Sequence, residues 1–272
     1  MYIDSHAHLN VSEFDKTRDE LLPSLLSSNI WVVNVGVNYF SSARAVKIAE
    51  QNGQGVFASI GLHPSNIRSD FTVKKYGADG QEEYELEESF DSDKYEELAK
   101  SKKVIAVGEI GLDYWIRPKG EAKKREFKEQ QIQIFNQQLD LAEKLNLPII
   151  IHSRSSLEDT FEILKTRKTR GVLHCFIGDF KDAEPFLSLG YYIGLNGIIF
   201  KASMDEFIKT VPLDKVLLET DCPYLVPPGF EDSINNPFSL KIIANKIAEI
   251  KGISIGEVEE ITTQNTKKLF NI

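Results

Sequence analysis

Five histidines are the most chemically loaded residues of this 272-residue chain, and each follows a short apolar run. His6 and His8 close Ile3-Asp4-Ser5-His6-Ala7-His8, and His63 lies in Gly61-Leu62-His63-Pro64. His152 ends Pro148-Ile149-Ile150-Ile151-His152, and His174 ends Gly171-Val172-Leu173-His174. Two carboxylates occupy the same kind of place, Glu109 after Val104-Ile105-Ala106-Val107-Gly108 and Asp221 after Val216-Leu217-Leu218-Glu219-Thr220. Imidazoles and carboxylates gathered at one point bind divalent metal and activate water. His6 and His8 stand at i and i+2, so a strand would direct both at one cation. Glu109 has two oxygens with which to bridge two cations roughly 3.5–4 Å apart, a spacing that suits water attack on a phosphoryl group. His152 and His174 facing that carboxylate would make the second metal site. Asp221 is placed to join the ion of His6 and His8, either as general base toward water or as a pure ligand. Asp113 reads either as a residue that supports a ligand from behind or as a loop residue. Zinc suits histidine-rich sites and Mg or Mn suits carboxylate-rich ones, so this mixed set leaves the ion open among Mg, Mn and Zn.

These side chains meet only if the runs that carry them are neighbouring parallel strands. Eight such runs occur, at residues 2–6, 30–35, 56–62, 104–109, 148–152, 171–174, 191–195 and 216–221. Their near-continuous apolar character is that of strands buried on both faces. Helical patterns fall between them, as in Phe135, Leu139 and Ala142 followed by Leu145. Ser155-Ser156-Leu157-Glu158 and Ser254-Ile255-Gly256-Glu257 have the spelling of capping boxes. Eight alternating units in this length predict one α/β domain over residues 1–272, a single (β/α)₈ TIM barrel, with a doubly wound open sheet as the alternative. Parallel strands of a barrel end on one rim, where the seven residues above would converge. Cys175 and Cys222 each follow a proposed ligand, so strand alternation turns them away from the barrel axis, and they form no disulfide framework.

The formal charge of −9 is local. Ten acidic residues against one lysine lie between residues 79 and 97, and the rest of the chain holds 31 acidic and 31 basic residues. Global acidity therefore does not exclude a nucleic-acid substrate. The acidic segment, near residues 70–91, reads as a solvated insertion. No apolar run approaches the ~20 residues of a membrane span, and the first residues lack a signal-like segment, so a cytoplasmic protein without obligate protein partner is expected. A basic stretch from Arg117 to Lys128 includes Lys123 and Lys124. It offers a phosphate guide, and Tyr114 and Trp115 beside it offer base-stacking surfaces.

The sequence resembles a known family. Asp4-Ser5-His6-Ala7-His8-Leu9, Gly61-Leu62-His63-Pro64, Gly108-Glu109-Ile110-Gly111-Leu112-Asp113, His152-Ser153-Arg154, His174-Cys175-Phe176 and Glu219-Thr220-Asp221-Cys222-Pro223-Tyr224-Leu225 are similar to the signatures of TatD-type metal-dependent deoxyribonucleases. The similarity runs in order from Ile3 to the C-terminal helix. His-x-His alone points only to the wider amidohydrolase superfamily. The resemblance implies a TIM barrel with two divalent ions that hydrolyses DNA, trimming from the 3′ end. It assigns His6, His8, Glu109 and Asp221 to one ion and Glu109, His152 and His174 to the other. His63 and Arg154 then lie beside the substrate phosphate, where protonated His63 would add charge. Three departures bear on substrate preference. Asn235-Asn236-Pro237 replaces the usual Asn-Glu-Pro, Pro227-Pro228-Gly229-Phe230 lacks the basic residues common there, and Ser155 stands where Asp is usual. Two other readings compete. One is hydrolysis of a small amide, lactone or ester on the same scaffold. The other is a non-catalytic protein in which cations stabilise the barrel.

Overall fold

The computed structural model describes residues 1–67, 89–230 and 234–272. Eight strands form one sheet in strictly sequential order: β1 (Tyr2–Ala7), β2 (Ile30–Val35), β3 (Val56–Ile60), β4 (Val104–Asp113), β5 (Ile149–Arg154), β6 (Gly171–Leu173), β7 (Tyr192–Leu195) and β8 (Val216–Leu218). Every adjacent pair is parallel. The ends of the sheet meet at a parallel bridge between Ala7 and Cys222. His8 N donates to Cys222 O at 2.9 Å and Asp221 N to His6 O at 2.9 Å. This is the (β/α)₈ TIM barrel. Sequential order with closure excludes the doubly wound alternative, whose strand order reverses part-way across the sheet.

Strand alternation divides the core. Val33, Val35, Ile150, Val172 and Leu217 form an apolar cluster inside the barrel, joined by Leu269 and Phe270 at the end of α9 (Ile255–Phe270). Val32, Ile149, Ile151 and Leu218 belong to the larger core shared with the surrounding helices. In α4 (Glu121–Leu145), Phe135, Leu139 and Ala142 are buried on one face. Burying a side chain such as Phe135 contributes ~1.5–3 kcal/mol.

The same face of α4 buries two amides seven residues apart. Gln131 accepts from Asp113 N at 2.8 Å and donates to Asp113 O at 3.1 Å. Gln138 does the same with Leu62, at 2.7 and 3.0 Å. Each glutamine thus satisfies both backbone groups of a residue where the sheet stops, and a buried backbone group left unpaired would be costly. One helix thereby fixes the end of β4 and the residue before His63.

Some boundaries differ from the sequence reading. β4 runs four residues past Glu109, and β8 stops three residues short of Asp221. The expected capping box at Ser155 does not form. Ser155 has φ +55°, α5 (Leu157–Leu164) starts later, and the Ser156 hydroxyl donates to Leu112 O at 2.8 Å instead. At Ser254 the side chain does accept from Glu257 N, at 3.2 Å. Most of the acidic stretch at 70–91 lies outside the described residues. Its last member, Asp91, opens α3 (Ser92–Leu98) by accepting from Lys94 N. Among the described residues no helix is long and apolar enough to cross a membrane.

Candidate metal centre

Two irregularities in the sheet aim the central side chains. Between Asp4 and Ala7, β1 carries one residue more than its partner segment in β2, and His6 lies inside that bulge. Between Val107 and Ile110, β4 carries one residue more than β5, and the extra stretch is Gly108-Glu109. A bulge breaks strict alternation and redirects the side chains it contains. Just beyond it, β4 and β5 press so close that Gly111, at φ +144°, could not carry a Cβ without striking the His152 carbonyl oxygen.

The result is a buried cluster. His6 Nε2 lies 3.1 Å from His8 Nε2, 3.7 Å from Asp221 Oδ1 and 3.5 Å from Glu109 Oε2. His8 Nε2 lies 3.4 Å from Asp221 Oδ1. Four ligands at zinc bond lengths of ~2.0–2.1 Å form a tetrahedron with edges of roughly 3.3 Å, so this spacing fits one divalent ion. The other Glu109 oxygen faces a different group: His152 Nδ1 at 2.9 Å, His63 Nε2 at 3.5 Å and His174 Nε2 at 3.8 Å. His174 Nε2 is also 3.8 Å from Asp221 Oδ1, and its ring stacks on His6 with centroids 3.5 Å apart.

Polar neighbours at the far ring nitrogens set the tautomers, a carbonyl hydrogen bond at His8 and a carboxylate ion-pair contact at His174. His8 Nδ1 faces Val35 O at 3.2 Å, and His174 Nδ1 faces Glu219 Oε1 at 3.0 Å. Once the rings give up their second proton, this arrangement keeps hydrogen on Nδ1 and leaves Nε2 as a lone pair for a metal. His152 is reversed, with Nε2 at 3.1 Å from Asp113 Oδ2 and Nδ1 toward Glu109. His63 differs in kind. Its Nδ1 accepts from Ser65 N at 3.0 Å, so the neutral ring carries its proton on Nε2 and offers a donor there.

Charge is distributed accordingly. Burial opposes ionisation of Glu109, but the neighbouring His63, His6 and His174 hold its pKa well below the ordinary value. Asp221 is likewise lowered, burial being outweighed by His174 and His8. Burial alone would lower His152, yet its bonds to Asp113 and Glu109 raise it to about 9. His174 is raised to about 10, burial being overcome by the charges of Glu219, Asp221 and Glu109. Burial lowers His6, with His174 adding to the effect. Burial also lowers His63 to about 3, so this ring is neutral near pH 7 and the expectation of a protonated His63 does not hold. Protons on His152 and His174 neutralise carboxylates that suit cations, and the donor set and its tautomers fit divalent ions.

Along the whole chain, residues 3–271 match the model of the TatD-related DNase family. The chain belongs to that family. As a TatD-family protein it is a metal-dependent hydrolase. It is 34% identical to the uncharacterized metal-dependent hydrolase YabD of Bacillus subtilis, over 100% of both chains. It is 32% identical to human deoxyribonuclease TATDN3, over 98% of this chain and 94% of that one. The crystal structure of YJJV, a TatD homolog from Escherichia coli K12, superposes with a TM-score of 0.80 at 28% identity, covering 100% of this chain and 98% of that one.

The fold of this TatD-family chain brings His6, His8, Glu109, His152, His174 and Asp221 into one cluster, with His63 against it. Arg154 stands at the end of β5, its guanidinium 4.7 Å from the Trp115 ring centroid. Lys123 and Lys124 lie in the first turn of α4, where Lys124 donates to Glu121 at 2.7 Å. Tyr114 is buried and cannot stack on a base, whereas Trp115 is 61% exposed. Cys175 does not turn away. Its φ of +48° breaks the strand alternation and leaves its thiol grouped with His174 and Asp221. Burial raises that thiol's pKa well above its ordinary value.

Sequence reasoning missed Glu219. Fully buried, it accepts from Cys175 N at 2.7 Å and from Asn196 Nδ2 at 2.9 Å while holding His174. It fills space that a Cβ at Gly194 would occupy. The available signal was its place two residues before Asp221. Asp113 takes the supporting role among its two expected ones: it ends β4 and holds His152. Asn235 donates to Thr220 O at 3.1 Å and braces the turn before Asp221. Asn236, the departure from the family spelling, caps a short helical turn by accepting from Phe238 N.

Proposed function

We propose that this hydrolase cleaves DNA phosphodiester bonds by water attack at two divalent ions, as an exonuclease working from 3′ ends of single strands or opened duplexes. The observation that carries this reading is the divided Glu109 carboxylate, with one oxygen 3.5 Å from His6 Nε2 and the other 2.9 Å from His152 Nδ1. His6, His8, Glu109 and Asp221 would hold one ion, and Glu109, His152 and His174 the other. When bound, Mg, Mn or Zn lowers the pKa of water and polarises the phosphoryl oxygens.

The chain's own groups supply the remainder. Asp221 stays ionised and is the acceptor for the proton of the attacking water. Asp113 and Glu219 hold the His152 and His174 rings in one tautomer. His63 donates Nε2–H to a non-bridging phosphate oxygen, and Arg154 places positive charge at the rim. A donor well placed on developing charge lowers the barrier by ~3 kcal/mol. The substrate class is taken from the human relative named a deoxyribonuclease and from the family.

End-labelled single strands blocked at the 3′ or the 5′ end, incubated with Mg²⁺ or Mn²⁺ and separately with EDTA, test this. Protection by the 3′ block and loss of cleavage in chelator are expected, and His152→Ala should lose most activity. Cleavage that persists in EDTA, or lactone turnover without DNA cleavage, would overturn it. Full activity in His152→Ala would remove the second ion from the mechanism.

A further inference from the structure

Exposed apolar side chains gather on the segments that leave the catalytic rim: Phe40 after β2, Trp115 and Ile116 after β4, Ile177 after β6, Tyr224 and Ile234 after β8. Large apolar side chains left exposed near a site are candidates for contact with its ligand. Trp115 is the largest of them and the most constrained. Its backbone N–H donates to Asp113 Oδ1 at 2.9 Å, while the other oxygen of that carboxylate lies 3.1 Å from His152 Nε2. One side chain therefore fixes both the indole segment and a metal-site imidazole. Arg154 comes from the adjoining strand end, paired in register with Asp113, and lays its guanidinium 4.7 Å from the indole centroid.

Arg154 forms no carboxylate ion pair among the described residues. Its charge and planar surface are spent on the indole, which stiffens a ring that solvent would otherwise leave mobile. A ring 61% exposed and backed by a cation is a ledge for a flat aromatic ligand. Arg154 against the ring, with Arg117 and Lys119 two and four residues beyond Trp115 in the chain, favours a ligand that carries negative charge. A nucleobase on a phosphodiester backbone satisfies both demands, and stacking with cationic contacts is the mode by which unpaired strands are held.

Building on the nuclease reading, we propose that Trp115, backed by Arg154, is a stacking platform for an unpaired nucleobase beside the scissile phosphate. A base can occupy it only after leaving its own stack and its pairing partner. The platform therefore selects unpaired 3′ termini and makes end opening a requirement on duplexes. Arg154 acts here as a positioning residue for the indole.

The test uses the 272-residue chain loaded with Mg²⁺ or Mn²⁺ and two nuclease-resistant phosphorothioate strands of equal length, one with bases and one abasic. Trp115 and Trp31 are the two tryptophans, so indole emission reports binding directly. The base-bearing strand should quench emission and bind about tenfold more tightly than the abasic strand. Trp115→Ala should reduce affinity for the base-bearing strand to the abasic level and leave abasic binding unchanged. Trp115→Phe, which keeps a ring, should restore most of the difference and controls for misfolding. Arg154→Lys keeps the charge but not the flat surface, and should lie between. Equal binding of both strands, or an equal loss on both in Trp115→Ala, overturns the proposal. So does wild-type self-association that Trp115→Ala abolishes, since a second copy would then cover the ring. Base discrimination without DNA cleavage would leave the platform standing and remove the nuclease reading; cleavage without base discrimination would do the reverse.

Discussion

The two halves of the metal centre are built on different principles. In the half formed by His6, His8 and Asp221, backbone contacts that close the barrel do the positioning, since Asp221 N bonds His6 O and His8 N bonds Cys222 O. Its ligand atoms already stand 3.1–3.7 Å apart. In the half formed by His152 and His174, outer carboxylates do the positioning. Asp113 holds one ring and Glu219 the other, and both rings keep their protons to about pH 9 or 10. The first half is preorganised by the main chain, and the second by charge. A cation must displace a proton in either half, since burial lowers His8 but its contact with Asp221 raises it above the ordinary value; only in the second half does the orientation of the rings rest on outer carboxylates.

The most severe disruption of this contrast is at the residue both halves share. Glu109→Gln removes a carboxylate whose two oxygens face different clusters, and should reduce phosphodiester cleavage by ~10³-fold or more. Metal analysis should show loss from both halves, whereas His152→Ala should cost one ion and His6→Ala the other. Retention of two ions by Glu109→Gln would show that the halves are independent sites.

Proton exchange sharpens the contrast at the next level. His152 has a folded pKa of about 9, above its ordinary 6.5, so its charged form stabilises the metal-free chain. That stability is complete below about pH 6.5 and is lost as pH rises through about 9. Ion binding competes with the same proton, so affinity in this half should rise across that window and binding should release protons. Asp113→Asn removes the charged anchor and one of the two carboxylates that raise the pKa, Glu109 remaining. Above pH 9 it should bind the second ion ~10–100-fold more weakly than the parent, through lost ring orientation. Near pH 7 the deficit should shrink, because the variant ring holds its proton less firmly with only Glu109 left to raise it. Calorimetry in buffers of different ionisation enthalpy measures both effects, and a deficit that does not change with pH would contradict the charge-set account.

Legibility in the sequence follows the same division. Strand runs such as Ile149-Ile150-Ile151 announce themselves because both faces are buried, and their order is enough to predict the barrel. His6, Glu109, His152, His174 and Asp221 stand out because polar residues ending apolar runs are conspicuous. The bulges around His6 and Glu109 were not legible, since a register shift is a property of two strands and no local spelling encodes it. Glu219 was hidden because its partner His174 is 45 residues away in the chain and its role depends on Gly194 leaving room. Gln131 and Gln138 carry no signal in the sequence, because their burial follows from the need of Asp113 and Leu62 for their amides. The Cys175 side chain could not be placed by alternation because a positive φ intervenes after β6.

The smallest expected effect lies outside both halves. Lys123 and Lys124 sit in the first turn of α4 and touch neither cluster of ligands, and Lys124 already donates to Glu121 at 2.7 Å. Exposed pairs of this kind contribute little and are screened by salt. Any contribution to catalysis must therefore pass through binding of a long polyanion. Replacing both lysines with glutamine should weaken single-strand binding by only a few-fold at low ionic strength and flatten its salt dependence by about one phosphate contact per lysine engaged. Hydrolysis of a small phosphodiester such as a dinitrophenyl ester should be unchanged, because that substrate reaches the ions without crossing the helix. Equal losses on both substrates would place the lysines within reach of the scissile phosphate and would extend the charge-set half of the centre onto α4.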